Sequence, residues 1–346
     1  MWLRAPVIRP AGVEILEDQV LDRQLCLFAL HGSDELGVAV AAALGHPLAA
    51  HEEREFEDGE HKARPLVAVR GADVFVLHSL HGDPQQSAND KLCRLLFFIG
   101  AVKDAGAARV TAIAPYLCYA RKDRRTKPND PVTTRYVASL LEAVGTDAVV
   151  TLDVHNPAAF ENAFHRPTVA LTAAPLFVEY AKRLVDEKLC VVSPDPGGTK
   201  RADLFHEALE SALGRPIGKG FADKRRSAGV VSGDLFVGEV EGATALIIDD
   251  LISTGGTLVR AAQAARRAGA RRVLALVTHG LFMPGAETAI MDAAIDRVVV
   301  TDSVPASRLG NRAARAKLDI LPVAPLLAET VRRLHAGETL TDLFVF

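Results

Sequence analysis

Residues 245–257 combine an apolar run, two carboxylates and a glycine-rich turn, and they restrict the fold more than any other segment. Four apolar residues from Ala245 are typical of a strand buried on both faces, and the apolar spacing from Leu258 to Ala265 predicts an amphipathic helix. A buried strand followed by a crossover helix is the unit of a parallel sheet. The segment therefore predicts a turn at the carboxyl end of a parallel strand.

Short apolar runs alternate with amphipathic stretches along most of the chain. The runs predict strands at Val74–Leu77, Val110–Ala114, Ala148–Leu152, Cys190–Val192, Ala245–Ile248, Val273–Val277 and Arg297–Val300. Helical spacing occurs around Lys91–Lys103, Thr134–Val144, Pro175–Leu184 and Thr257–Ala268. We therefore expect the α/β class, with mainly parallel sheets flanked by helices.

Length and a weak internal repeat predict two related halves. The 346 residues exceed what one core usually holds, and Ala105–Val110 resembles Ala268–Val273, each ending a helix at glycine before a strand. Such junctions also recur in unrelated α/β proteins, so coincidence stays an alternative. We predict one domain over residues 1–167 and a second over 168–329. The tail 330–346, helical and then apolar, is expected to pack on the first domain.

Charge and hydropathy exclude several classes of function. The net charge of −3 gives no general attraction to nucleic acid or to anionic membranes. No stretch reaches the ~20 apolar residues that a membrane span needs, and the first residues lack the apolar core of a signal peptide. The expected location is the cytoplasm. The four cysteines have no metal-binding spacing and are expected to be buried, reduced thiols.

The turn after the strand at Ala245 predicts a sugar-phosphate site. Gly255 and Gly256 allow backbone to approach a phosphate at a helix N-terminus, and Ser253, Thr254 and Thr257 add hydroxyl donors. The carboxylates of Asp249 and Asp250 cannot bind phosphate, and they suit ribose hydroxyls or Mg²⁺. The alternative is an ordinary helix cap beside an incidental acidic pair.

Two basic clusters predict contacts with anions. Five cations lie within Arg121–Lys127, after the strand at Val110–Ala114, where arginine could bind a polyphosphate. A solvated charged face is the alternative. The second cluster, Lys224–Arg226, precedes small and glycine residues and is typical of a mobile loop that closes over a substrate. Its alternative is a surface hairpin.

Further polar segments follow other predicted strands. His155 comes directly after the strand at Ala148–Leu152, where it could bind a metal or a phosphate or be a structural residue. Asp195 and a glycine pair follow Cys190–Val192 in the same way. Phe56 lies among acidic residues, either in a surface turn or beside a stacked base, and the residues alone do not decide between the two.

Six segments, in order over most of the chain, resemble the ribose-phosphate pyrophosphokinase family. They are Phe56–Glu60, Tyr119–Arg124, Leu152–His155, Ser193–Gly198, Asp223–Arg226 and Ala245–Thr257. The resemblance implies two phosphoribosyltransferase-like α/β domains with the active site between them, often completed by a neighbouring subunit. It also implies the reaction, in which the anomeric hydroxyl of ribose 5-phosphate attacks the β-phosphorus of Mg-ATP and AMP leaves.

The resemblance also implies a role for each matching residue. The expected ribose 5-phosphate site comprises Asp249, Asp250, Ser253, Thr254, Gly255, Gly256 and Thr257. The expected ATP site comprises Phe56, Asp58, Gly59, Glu60, Arg121 and Lys122. His155 and Asp195 match positions that bind Mg²⁺, and Lys224 and Arg226 match the catalytic loop. The implied assembly is a homo-oligomer, a dimer or a hexamer.

Three departures indicate a divergent member of the family. Lys122 stands where bacterial members usually carry Gln, Ser253 where many carry Asp, and Pro196 where His or a small residue is usual. One alternative is a non-catalytic homologue associated with a true synthetase; the retained acids, cations and histidine argue against it. A phosphoribosyltransferase is the other alternative, and the motifs of the first half argue against that.

Overall fold

The structure is a computed structural model that describes residues 23–185, 187–227 and 230–343, with backbone alone for 223–227 and 230–235. The described strands are β1 (Leu25–Ala29), β2 (His51–Glu55), β3 (His61–Pro65), β4 (Asp73–Leu77), β5 (Arg109–Ile113), β6 (Ala148–Leu152), β7 (Thr168–Leu171), β8 (Leu189–Ser193), β9 (Gly218–Ser227), β10 (Val230–Gly238), β11 (Thr244–Ile252), β12 (Arg272–Gly280), β13 (Arg297–Thr301) and β14 (Leu318–Leu321). The described α-helices are α1 (Asp34–Leu44), α2 (Ala88–Asp104), α3 (Thr133–Ala143), α4 (Pro157–Ala163), α5 (Ala174–Ala181), α6 (Thr199–Leu213), α7 (Gly256–Arg267), α8 (Ala286–Met291), α9 (Arg312–Ala316) and α10 (Ala324–Ala336).

The strands form two large sheets and one small hairpin. The first sheet has the order β1-β4-β5-β6-β7 and is parallel throughout. The second has the order β10-β9-β8-β11-β12-β13-β14 and is parallel except between β9 and β10. Strands β2 and β3 pair separately as an antiparallel hairpin. The predicted α/β class, with mainly parallel sheets flanked by helices, is confirmed.

Continuous apolar runs explain the central strands. Every residue of β4, β6 and β8 is buried, as expected where helices cover both faces of a parallel sheet. One hydrophobic cluster joins the two sheets, since it contains Phe75 of β4, Leu246 of β11, Val40 of α1 and Leu327 of α10. The two halves therefore share a core.

The repeated helix-to-strand junctions have the same geometry. Gly106 and Gly269 both have a φ of 92°, a left-handed conformation that glycine adopts without strain. The next N–H in each case bonds a carbonyl five residues back, from Ala107 to Val102 and from Ala270 to Ala265. Each turn thus ends a helix and starts a parallel strand, as the repeat predicted.

Two contacts bear on the predicted division of the chain. Strand β7 pairs with β6, so the first sheet extends four residues beyond the predicted boundary at residue 167. Helix α10 packs on α1, and His335 near its end bonds the buried Asp73 of β4 through Nδ1 at 2.8 Å. These are contacts of the last helix with the first sheet; the division into two domains itself stays a prediction.

Several local expectations differ from the structure. The backbone around the second basic cluster forms the paired strands β9 and β10, which is the hairpin form given as the alternative, and its closure over a substrate stays a prediction. Cys93 is exposed, because it lies on the outer face of α2, whereas Cys26, Cys118 and Cys190 are buried as expected. Among the described residues, no helix is both long and apolar enough to cross a membrane.

Candidate active site

The two halves meet through His155 and Asp250. His155 follows β6 of the first sheet, Asp250 lies in β11 of the second, and His155 Nδ1 is 2.8 Å from Asp250 Oδ2. Arg121 lines the same small pocket as both residues. The structure therefore brings together a cation, an imidazole and a carboxylate that the sequence separates by up to 129 positions.

The acidic pair lies within β11, not after it. We predicted that this strand ends at Ile248, but it continues to Ile252 because β12 extends alongside it to Gly280 and supplies hydrogen-bond partners. Alternation along the strand sends Asp249 and Asp250 to opposite faces of the sheet. Asp250 is 4% exposed and contacts His155.

Arg201 of α6 is the cation beside both acids. Its Nη1 lies 3.7 Å from Asp249 Oδ1 and 3.4 Å from Asp250 Oδ1. Burial, together with the charge of the neighbouring carboxylate, raises the pKa of Asp249 well above its usual range. Burial opposes ionisation of Asp250 too, but the His155 hydrogen bond and the Arg201 charge outweigh it and hold the pKa of Asp250 below its usual range. Arg201 and His155 thus stabilise a charged Asp250.

The predicted phosphate loop, Ser253–Thr257, leads into α7. Gly255 has a φ of 82°, and a Cβ there would lie 2.4 Å from the Cβ of Ala289, so only glycine fits. No side chain caps the start of α7, and the hydroxyls of Ser253 and Thr254 make no hydrogen bond with the described residues. The helix start therefore offers unpaired donors and the positive end of a dipole.

Asp195 has a structural task as well as its predicted metal role. Its Oδ1 accepts hydrogen bonds from Gly197 N at 2.9 Å and Gly198 N at 3.1 Å, which caps the short 3₁₀ turn before α6. The other carboxylate oxygen has no hydrogen-bond partner among the described residues. Within the same residues, no group of three or more His, Cys, Asp or Glu side chains is arranged to hold a metal ion. His155 and Asp195 therefore do not form a closed metal cage.

The predicted adenine-side residues form the tip of the β2–β3 hairpin. Phe56 N bonds Glu60 O at 2.8 Å, Gly59 has a φ of 88°, and Asp58 accepts from Glu60 N. The guanidinium of Arg54 lies over the Phe56 ring, with its Cζ 5.1 Å from the ring centroid. No hydrogen bond or ion pair in the described part of the chain joins this tip to Arg121 or Lys122. Among the described residues of one chain, the two halves of the predicted ATP site therefore have no direct polar contact.

The first basic cluster, Arg121–Lys127, begins after a strained turn. Tyr119 has a φ of 60°, and Thr134 at the start of α3 donates to its carbonyl. Asn156, next to His155, donates to Asp123 Oδ2 at 2.6 Å. The cluster is thereby tied to the loop that carries His155.

Lys224 and Arg226 lie on β9, where their backbone pairs with β10. Their side chains lie outside what the structure describes, so their catalytic roles stay predictions.

Sequence reasoning missed the hydrogen bonds that join the two sheets next to the site. Asp153, just after β6, has a φ of 39° and accepts from Ala173 N at 2.9 Å and from the hydroxyl of Thr278 on β12. Burial lowers the pKa of the next β12 residue, His279, whose Nε2–H donates to Leu152 O at 2.9 Å. The Asp153–Thr278 and Leu152–His279 hydrogen bonds cross between the two sheets. The left-handed conformation of Asp153 can be recognised only from the backbone. The Lys200-Arg201 pair, which includes the cation beside the acids, was visible in the sequence after the glycines.

Comparison with known proteins identifies the family. A model of the N-terminal domain of ribose phosphate pyrophosphokinase matches residues 25–145, and one of a phosphoribosyl synthetase-associated domain matches 233–345. The ribose-phosphate pyrophosphokinase of Caldanaerobacter subterraneus subsp. tengcongensis is 38% identical, covering 92% of this chain and 98% of the relative. That of Thermosipho africanus is 35% identical, covering 94% and 99%.

A solved structure gives the same answer. Phosphoribosylpyrophosphate synthetase from Mycobacterium smegmatis matches with a TM-score of 0.81 and 34% identity, covering 91% of this chain and 100% of that one. The chain therefore belongs to the ribose-phosphate pyrophosphokinase family, as its six motifs indicated.

Proposed function

We propose that this enzyme transfers the β,γ-diphosphoryl group of Mg-ATP to the anomeric hydroxyl of ribose 5-phosphate. The products are phosphoribosyl pyrophosphate and AMP. The observation that carries the proposal is the pocket where Arg121 and His155 of the first half face Asp250 of the second. It sets a phosphate-binding cation beside acids that suit sugar hydroxyls.

Ribose 5-phosphate is the acceptor in this proposal. Its phosphate would lie at the start of α7, against the loop Ser253–Thr257, where Gly256 adds no side chain and the hydroxyls of Ser253, Thr254 and Thr257 can donate. Asp249 and Asp250, on the strand leading into this loop, would hold the ribose hydroxyls. Ser253 puts an uncharged hydroxyl beside this phosphate, where the family resemblance leads one to expect Asp in many members, and the change should not abolish phosphate binding.

The side chains available as metal ligands are compatible with Mg²⁺. This ion usually binds one or two carboxylates and keeps water and substrate phosphates as its other ligands, so it needs no closed protein cage. The free oxygen of Asp195 and the carboxylate of Asp249 meet that requirement, and Nε2 of His155 is a further donor. When bound, Mg²⁺ would neutralise charge on the transferred phosphates.

ATP would be bound from two sides. Arg121 is exposed at the pocket and can contact the phosphates, while Phe56, Asp58, Gly59 and Glu60 would hold the nucleoside. Since no hydrogen bond or ion pair of the described residues joins the hairpin tip to the basic cluster within one chain, we propose that a neighbouring copy supplies the tip. This makes a homo-oligomer, a dimer or a hexamer, part of the proposed function, with the cytoplasm as its location.

The chemistry needs no side-chain nucleophile. The anomeric oxygen attacks the β-phosphorus, the bond between that phosphorus and the α,β-bridging oxygen breaks, and AMP keeps the oxygen. Such transfers depend on positioning and on stabilising negative charge. Lys224 and Arg226 would supply cations at that stage.

Product analysis tests this proposal. Incubation with Mg-ATP and ribose 5-phosphate, followed by ³¹P NMR, should show AMP and phosphoribosyl pyrophosphate in equal amounts. Formation of ADP would indicate transfer of a single phosphoryl group, and the complete lack of turnover would favour a non-catalytic homologue. Release of free pyrophosphate only when a nucleobase and phosphoribosyl pyrophosphate are supplied would indicate a phosphoribosyltransferase.

A further inference from the structure

Lys122 differs from the other cations of the first basic cluster. Within the described residues, Arg121, Arg124, Arg125 and Lys127 are exposed and have no carboxylate within ion-pair distance. Lys122 is partly buried, and its Nζ lies 2.6 Å from Asp130 Oδ2. Its ammonium also donates to the hydroxyl of Thr126 at 3.3 Å. One cation of the five is therefore already paired before any ligand binds.

Asp130 collects the hydrogen bonds that fold this cluster. Besides Lys122, its Oδ2 accepts from Thr126 N at 3.0 Å, Thr126 Oγ1 at 2.7 Å and Lys127 N at 3.0 Å. The bonds from Lys122 and Thr126 hold the pKa of Asp130 well below its usual range. The carboxylate is thus kept as an anion with four donors on one oxygen.

The chain between these partners is shaped for a tight turn. Asp130 N bonds Lys127 O at 3.2 Å, Pro128 has a restricted φ, and Asn129 has a φ of 64°. Proline followed by asparagine in this conformation is the pattern of a type II turn. The turn returns Asp130 to Lys122, eight positions earlier, and so closes the cluster into a loop.

We propose that Lys122 is a positioning residue, whose bridge to Asp130 folds the basic cluster so that Arg121 and its neighbours bind the nucleotide phosphates. The choice of ligand rests on the proposed function. Lys122 reaches no nucleotide in this arrangement. If its ammonium turned to ATP, two hydrogen bonds would break, and Asp130 would keep its three uncharged donors but lose its only cation among the described residues while lying beside an anionic ligand. The bridge to Asp130 removes that repulsion.

The variants K122Q and D130N test the bridge. Each removes one charge with little change in size, and each should raise the KM for ATP about three- to tenfold, the effect of losing a partly exposed pair and its hydrogen bonds. The double variant should be no worse than either single one, because all three break the same bridge. The turnover number and the KM for ribose 5-phosphate should stay within about twofold of wild type.

A direct contact of Lys122 with ATP predicts the opposite for one variant. D130N would then free the ammonium and lower the KM for ATP, while K122Q raised it. That result would overturn the proposal. The control is K103Q, which breaks a surface pair of similar exposure, Lys103–Asp147 at 2.9 Å, and should leave both KM values unchanged.

Limited trypsin digestion tests the Lys122–Asp130 bridge without an activity measurement. Cleavage after Arg124 and Arg125 should be several-fold faster in K122Q and D130N than in wild type or K103Q, with circular dichroism showing each variant folded. Equal cleavage rates in all four proteins would reject the positioning role. This readout stands even if product analysis finds no synthetase activity, so failure of the bridge and failure of the proposed function are distinguishable.

Discussion

The acceptor region and the donor region of the site are built in opposite ways. Around the acidic pair, the buried Asp250 has His155 and Arg201 as partners within the same chain. Around the basic cluster, Arg121 is exposed, and among the described residues the hydrogen bonds of the hairpin tip Phe56–Glu60 stay within its own hairpin. A buried carboxylate needs partners when the chain folds, whereas exposed cations can wait for an anionic ligand. Under the proposed function, the contrast predicts a preformed sugar site and a nucleotide site completed on assembly.

The largest effect is expected from K224A, which should separate chemistry from both binding regions. Loss of a cation used at the transferred phosphates should lower kcat by about 10³-fold. Steady-state kinetics should show both KM values little changed and circular dichroism an intact fold. K219A is the matched control, since Lys219 lies on the same strand and pairs with Asp203. Unchanged turnover in K224A would reject the catalytic role of this residue.

D250N should damage the acceptor region next most. The substitution removes the charge that His155 and Arg201 stabilise, and we expect kcat/KM for ribose 5-phosphate to fall about 10²-fold. D249N should cost less, because the raised pKa of Asp249 shows that its environment disfavours the charge. Equal losses in the two variants would mean that the acids act as an equivalent pair.

R201Q should have a smaller effect on the same region. Removing the cation leaves two neighbouring carboxylates without the charge that contacts both, and the KM for ribose 5-phosphate should rise about tenfold while that for ATP stays constant. R201K keeps the charge but loses the planar fork and should lie between wild type and R201Q. A rise in the KM for ATP instead would move Arg201 into the donor region and weaken the contrast.

The strands that carry the site could be predicted because each contains an apolar run. Strands β6 and β8 and the first five residues of β11 are buried, and their hydrophobic runs can be recognised in the sequence. The β2–β3 hairpin was missed because its residues, HEERE and HKARP, lack an apolar face. Alternation of apolar and polar residues is the sequence signal for a half-exposed strand, and the charged residues of these two strands leave no such alternation.

Contacts between distant side chains could not be predicted. Motif resemblance placed His155 and Asp250 in one site, but not in direct contact, because their distance depends on how two sheets pack. The pairing of Lys122 with Asp130 depends on a turn with a left-handed Asn129. The hydrogen bond between Asp153 and Thr278 depends on the left-handed backbone of Asp153 itself. Such backbone conformations are set by tertiary structure, so the sequence carries little trace of them.

The most direct test of the contrast is complementation between two inactive chains. One chain carries D250N, and the other carries D58N with E60Q at the hairpin tip. If a neighbour supplies that tip, co-expressed chains should form mixed dimers with one intact site, giving about a quarter of wild-type activity after random assortment. Two chains with the same defect are the control. Activity in the mixture no greater than the sum of the two separate variants would contradict a nucleotide site shared between chains.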